Sequence, residues 1–175
     1  SYCGFSHENT SSGKRLLDMQ EIRDETKALI SQGHKRLLLV SAEDPEVSID
    51  YLQDAIKTVY ETKEGNGAIR RINVNVAPMR RSDFKKLKST GIGTYQSFQE
   101  TYHTDTYTQL HTSGPKSDYL KRLYACDNAQ SAGIDDVGIG ALFGLHDYKY
   151  EVLALLFHAI HLEEVFGVGP HTISV

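Results

Sequence analysis

The chain has no tryptophan and only two cysteines, Cys3 and Cys126, in 175 residues. Two thiols cannot build a disulfide framework, so a reducing, cytoplasmic setting is expected. Long apolar runs are also missing. No stretch approaches the ~18–20 residues needed to span a bilayer, and none reads as a charged-then-apolar signal peptide. Charge of one sign is not in excess: a net charge of −4 and a pI near 6.0 remove the electrostatic reason to expect nucleic acid or an anionic membrane as partner. There is no G-x-G-x-x-G loop, no serine nucleophile elbow, no HExxH and no CxxC pair. Pro- or Ser-rich linkers and sequence repeats are lacking as well, which predicts one domain or a piece of one.

What is present is a recurring unit: a helical period, a glycine, then an apolar run. DMQEIRDETKALISQG precedes RLLLV, with Asp18 and Glu21 spaced as a capping box and Gly33 placed for a left-handed helix end. Met19, Ile22 and Leu29 supply its apolar stripe. SIDYLQDAIKTVYETKEGNG precedes AIRRINVNV, and SDFKKLKSTG precedes IGTYQSFQ. SDYLKRLYACDNAQSAG precedes IDDVGIGALF, and YKYEVLALLFHAIHLEEVFG leads through VGP to HTISV.

Helices alternating with short strands predict crossover units and a parallel sheet of about five strands. Such a sheet fits either an open doubly wound fold or most of a (β/α)8 barrel. Two features favour the barrel. A dinucleotide-binding sheet would prefer the missing glycine-rich loop. In INVNV, Ile72, Val74 and Val76 alternate with Asn73 and Asn75, so the apolar set can face helices while both amides face a polar interior. HTISV ends the sequence on a strand with no covering helix, and both ends read as cut.

In parallel α/β folds the working residues gather at the C-terminal ends of strands. Those ends offer Glu43, Asn73, Asn75, the segment Gln99-Glu100-Thr101-Tyr102-His103, Gly138 with Gly140, and His171 on the last strand. Glu43 suits a helix N-terminus equally well, and the glycines suit close packing. His158 and His161, three apart on one helix, are expected at a solvated rim. Cys126 reads as a small core residue. The residues alone reach a barrel-type α/β fragment with a polar ligand cavity.

Seven stretches in order, YCGF, LLLVSAEDP, RRINVNVAP, GIGTYQSFQETYH, GPKSDY, AGIDDVGIGALFGL and FGVGPHTISV, resemble the radical S-adenosylmethionine tyrosine lyases. GHKRLLLV, NGAIRRINVNV and GVGPHTIS are closer to the [FeFe]-hydrogenase maturation branch than to the thiamine-thiazole branch. The resemblance implies a partial radical SAM barrel over residues 1–175, without the first strand, the first two cluster cysteines and the C-terminal part. It implies a [4Fe–4S] cluster and S-adenosyl-L-methionine as cofactors. Thiolates are soft, strongly donating ligands that suit iron, and Cys3 matches the third of three, followed by Gly4 and Phe5.

The remaining roles are carried over in the same way. Tyr2 matches the aromatic just before the cysteine, whose main chain is expected near the adenine, and Phe5 matches the cofactor-binding aromatic that follows it. Glu43 accepts from the methionine ammonium, Arg122 pairs with the methionine carboxylate, and Glu100 holds the ribose hydroxyls. Asn75, Gly138 and Gly140 line the cofactor, and His171 lies on the substrate side. The implied reaction is Cα–Cβ cleavage of L-tyrosine to p-cresol and dehydroglycine, which feeds carbon monoxide and cyanide to the hydrogenase iron site. Ferredoxin or flavodoxin as electron donor and other hydrogenase maturation proteins are the implied partners. With one thiolate, the chain alone is expected to be inactive, and with open edges it is expected to be poorly soluble.

Overall fold

A computed structural model describes Tyr2 and residues 15–175. Cys3 and Phe5, assigned above to the cluster loop, lie outside the described residues. Helix α1 (Met19–Ser31) starts at Asp18, whose carboxylate caps Gln20 and Glu21 while Glu21 bonds back to the Asp18 amide. It ends where Gly33 turns to φ +92° and the Gly33 and His34 amides return to Ile30 and Leu29. That paired return satisfies the last carbonyls and needs a residue at ease with positive φ. The buried stripe is Ile22, Thr26 and Ile30, with Leu29 only partly covered.

Strand β1 (Arg36–Val40) follows, then α2 (Ile49–Glu61), capped by Ser48. The chain next forms a small antiparallel hairpin, β2 (Lys63–Glu64) and β3 (Gly67–Ala68), before β4 (Arg71–Asn75). The sequence reading ran the second helix through this hairpin. Gly65 at φ +55° opens its two-residue turn, the place where glycine is favoured in such loops. Then come α3 (Arg81–Ser89) and β5 (Tyr95–Gln96). The next connection holds α4 (Thr104–Leu110), α5 (Tyr119–Leu123) and α6 (Ala125–Ser131). Strand β6 (Val137–Gly140), α7 (Tyr148–Phe166) and β7 (Thr172–Ser174) complete the order.

The larger sheet has five strands in the order β1-β4-β5-β6-β7, and every pairing is parallel. Adjacent order with parallel pairing is what successive crossovers of one hand generate, and it is the barrel-type arrangement expected from the sequence. The helix-facing side is dry: Ile72, Val74, Tyr95, Val137 and Ile139 are fully buried. The other side follows one row of register partners, Val40, Asn75, Gln96, Gly138 and Thr172. Asn75 therefore lies on the inner face, as the alternation in INVNV predicts, and that face is polar or small over most of its width. Among the described residues no helix is long and apolar enough to cross a membrane.

Candidate functional site

Glu43 leaves the end of β1, and its carboxylate forms an ion pair with the Arg122 guanidinium from the last turn of α5. The N-cap of the following helix is Ser48, so Glu43 is not spent on that helix terminus. Arg122 also donates from Nη1 to the Phe98 carbonyl at 3.1 Å, while its Nε is buried without a partner among the described residues. Burial pushes the guanidinium down to about 10, and it stays charged at neutral pH.

Glu100 follows the short strand β5 and has φ +68°, the left-handed region in an acidic residue. Thr101 donates its amide back to the Gln99 carbonyl at 2.9 Å, which closes a tight γ-turn around Glu100. A non-glycine residue held there costs on the order of 1–3 kcal/mol, a kind of strain that clusters at functional sites. The turn is clamped to the neighbouring strand, because Gln99 donates to Gly140 and Leu142 donates to Glu100. The Glu100 carboxylate accepts from Lys116 Nζ at 2.5 Å. Burial lowers the Lys116 ammonium, yet the Glu100 charge outweighs it and the net shift is upward.

Tyr2 completes the group. Lys116 Nζ lies 5.5 Å from its ring centre, and its hydroxyl is 2.6 Å from His111 Nε2. Burial raises the phenol, with Glu100 adding to the shift and Lys116 and Arg122 opposing it. Tyr2, Glu43, Glu100, Lys116 and Arg122 thus form one charged cluster at the C-terminal end of the sheet. Lys116 was not singled out from the sequence, although it sits within the GPKSDY stretch; a lone lysine in a polar loop carries no periodic signal.

The two glycines have a packing reason within the chain. A Cβ on Gly140 would come 2.8 Å from the Phe98 ring and 2.8 Å from the Ser174 carbonyl, and one on Gly138 would come 3.0 Å from Gln96. His171 is placed elsewhere. It precedes β7, with Nδ1 3.5 Å from Asp136, and Asp136 is in turn paired with Arg71 at the opposite end of the strands. The structure does not bring His171 to the Glu43–Glu100–Arg122 cluster.

His158 corrects a sequence expectation. It is not at a solvated rim: its Nδ1 is 2.7 Å from the Tyr102 hydroxyl, and burial lowers it to about 4. His161 does face outward, 2.6 Å from Asp127. Cys126 is core, 1 % exposed, with its thiol pushed up to about 12 by burial. Such a thiol is an inert packing group.

Two cavities are lined by residues outside the charged cluster. One of about 230 Å³ is flanked by Ser41, Ile49, Val76 and Met79, and one of about 390 Å³ by Lys35, Arg36, Arg70 and Arg71. Among the described residues no group of three or more His, Cys, Asp or Glu could hold a metal ion. The cluster itself presents a carboxylate and a guanidinium side by side, an unused Arg122 donor, and a second carboxylate held in a strained turn. An amino-acid zwitterion joined to a sugar complements that set, so the residues fit S-adenosylmethionine.

A family model for the Radical SAM superfamily matches residues 1–159. The chain is 31% identical over 175 residues to the 2-iminoacetate synthase of Escherichia coli (strain K12), covering 99% of this chain and 45% of that protein. It is also similar to the crystal structure of HydG, a maturase of the [FeFe]-hydrogenase, at 56% identity and a TM-score of 0.96, over 99% of this chain and 38% of that one. HydG from Carboxydothermus hydrogenoformans is similar at 46% identity and a TM-score of 0.93, over 99% of this chain and 40% of that one. The chain spans less than half the length of these proteins.

Proposed function

The chain belongs to the radical SAM superfamily, and from that premise we propose that it forms the S-adenosylmethionine-binding part of a tyrosine lyase of [FeFe]-hydrogenase maturation. The observation that carries the reading is the gathering of Tyr2, Glu43, Glu100, Lys116 and Arg122 at the C-terminal ends of parallel strands. Similarity to two structures of HydG, a maturase of the [FeFe]-hydrogenase, at 46–56% identity supports the maturation branch; L-tyrosine as substrate, with p-cresol and dehydroglycine as products, follows from the motif resemblance.

Glu43 accepts from the methionine ammonium, and Arg122 donates to the methionine carboxylate. Both already face one another, so the ligand's two charges exchange one ion pair for two. Glu100 offers both carboxylate oxygens to vicinal ribose hydroxyls, and Lys116 fixes that carboxylate from the other side. Tyr2 and Asn75 border the nucleoside, with Gly138 and Gly140 keeping the floor of the barrel low. Cys3 is proposed as one thiolate ligand of a [4Fe–4S] cluster, and Phe5, two residues on in sequence, as part of the cofactor-binding loop. A cluster and S-adenosylmethionine held by these residues would supply radical hydrogen-abstraction chemistry. His171, paired with Asp136 at the opposite end of the strands, takes no part in this reading. A cytoplasmic setting, a ferredoxin or flavodoxin donor and hydrogenase maturation partners belong to the same reading.

The test is p-cresol formation from tyrosine by the full-length protein, reduced and anaerobic, with S-adenosylmethionine. Release of carbon monoxide and cyanide is the expected further product. The 31% identity to a 2-iminoacetate synthase favours one alternative, the same cleavage serving thiazole formation. That alternative gives p-cresol without carbon monoxide.

A further inference from the structure

Glu151 sits in the first turn of α7, on the helix layer behind the sheet, and is fully buried. Its neighbours along the buried face are Leu155, His158 and Leu162, so a carboxylate here has no solvation of its own. A buried acid without partners is costly, and acids in such positions are retained with hydrogen bonds or not at all. Among the described residues no cation pairs with Glu151. Its two oxygens instead take two neutral donors from one short segment: Oε1 accepts from the Thr101 hydroxyl, and Oε2 accepts from the Tyr102 amide at 2.9 Å.

That segment is the one that turns at Glu100. Thr101 is itself fully buried, and its hydroxyl oxygen also accepts the His103 amide at 3.1 Å. Tyr102 is held at two further points, by the Tyr119 hydroxyl on its carbonyl at 2.9 Å and by His158 on its own hydroxyl. The strained γ-turn at Glu100 is thus fixed on one side by the β6 strand and its extension, and on the other by Glu151. A turn at φ +68° on an acidic residue persists only when its flanks are over-determined.

We propose that Glu151 is a positioning residue: its buried carboxylate grips Thr101 and Tyr102 and so holds the Glu100 carboxylate in the geometry that receives the ribose of S-adenosylmethionine. The inference rests on the reading of Glu100 as the ribose acid. A carboxylate is needed because both oxygens face donors. A glutamine can keep one acceptor on the Tyr102 amide, but its nitrogen then donates to the Thr101 oxygen, which leaves the buried Thr101 hydroxyl hydrogen without an acceptor and removes the carboxylate charge from both bonds. The segment then relaxes and Glu100 leaves the left-handed region.

The test uses the full-length protein with its cluster reconstituted and left oxidised, so that no turnover occurs. Binding of S-adenosylmethionine and of its 2′,3′-dideoxyribose counterpart is measured by calorimetry for wild type, Glu100→Gln, Glu151→Gln, Thr101→Val and the Glu100→Gln/Glu151→Gln pair. Hydrogen exchange at the Tyr102 amide is followed in the cluster-free protein. Glu151→Gln and Thr101→Val should each weaken the ribose ligand about tenfold, leave the dideoxy ligand unchanged, and speed exchange at Tyr102. In the Glu100→Gln background Glu151→Gln should cause no further loss. If Glu100→Gln is selective for the ribose ligand but Glu151→Gln and Thr101→Val are not, the positioning role is wrong and the ribose assignment survives. Equal weakening of both ligands by Glu151→Gln makes its role merely structural and also overturns the inference. If Glu100→Gln weakens neither ligand selectively, the ribose assignment falls and the inference falls with it.

Discussion

The side chains of Glu43 and Arg122 come from separate crossover units, yet they close into an ion pair that leaves 18 % and 8 % of their surfaces exposed. A pair this covered is stable only as a pair. Removing one partner strands the other charge in a poorly solvated place, at a cost on the order of 3 kcal/mol. Arg122→Ala should therefore lower the urea midpoint and weaken S-adenosylmethionine binding together. Arg122→Lys should restore much of the stability but little of the binding, because an ammonium lacks the planar fork that grips a carboxylate. Urea titration and calorimetry on the same variants check both.

The second prediction concerns Gly140. Alanine there would place Cβ 2.8 Å from the Ser174 carbonyl, a backbone atom, and 2.8 Å from the Phe98 ring. The carbonyl cannot yield without moving β7, so Gly140→Ala should cost about 2 kcal/mol. At Gly138 the facing atom, 3.0 Å away, is Gln96 Cγ on a flexible side chain. Gly138→Ala should be clearly milder, and unfolding curves of the two variants give the comparison.

His158 sets a pH dependence. Burial chiefly, helped by the charge of His161 and opposed by Asp127, lowers it to about 4 from the ordinary 6.5. The unfolded chain binds the proton more readily, so unfolding is favoured as pH falls from 6.5 towards 4. The loss amounts to about 3 kcal/mol once the pH lies below both values. Stability should rise again through the same window as pH increases. His158→Gln, which keeps a partner for Tyr102 but does not titrate, should flatten that segment of the stability curve. A slope unchanged in the variant would assign the effect to other groups.

The isolated 175-residue chain should self-associate. Leu153, Leu156, Phe157, Ile160 and Val165 are exposed along α7, and Leu38 and Val40 are exposed on the edge strand β1. Apolar surface beside an unpaired strand edge promotes association. Light scattering at rising concentration should show it, and a monodisperse monomer that melts cooperatively would speak against it.

The parts of this fold governed by local rules were legible. The Asp18–Glu21 capping box, the Gly33 helix end and the INVNV alternation each depend on neighbours within a few residues, and each appears as expected. Helix α4 was not read, because TDTYTQL buries only Tyr107 and has no apolar stripe. The fourth unit was read as one helix, whereas the chain is broken at Tyr124 between α5 and α6; its composition has no Gly or Pro there to mark the break.

In the candidate site, Glu43, Glu100 and Arg122 came from motif resemblance, and the fold brings Arg122 to Glu43 across a long sequence separation. Lys116 and Glu151 escaped because their partners are distant in sequence. Glu151 did leave a trace: it is an acid at four-, three- and four-residue spacing with Leu155, His158 and Leu162, on the face that packs inward. His171 shows the converse, since a strand can carry a residue at either end and sequence alone did not say which.

The most direct test is an anaerobic crystal structure of the full-length protein with its cluster and S-adenosylmethionine bound. The account predicts ribose hydroxyls on the Glu100 carboxylate, the methionine ammonium and carboxylate at Glu43 and Arg122, and Glu100 still in its left-handed turn. A ligand seated elsewhere, with the Glu43–Arg122 pair undisturbed, would contradict it.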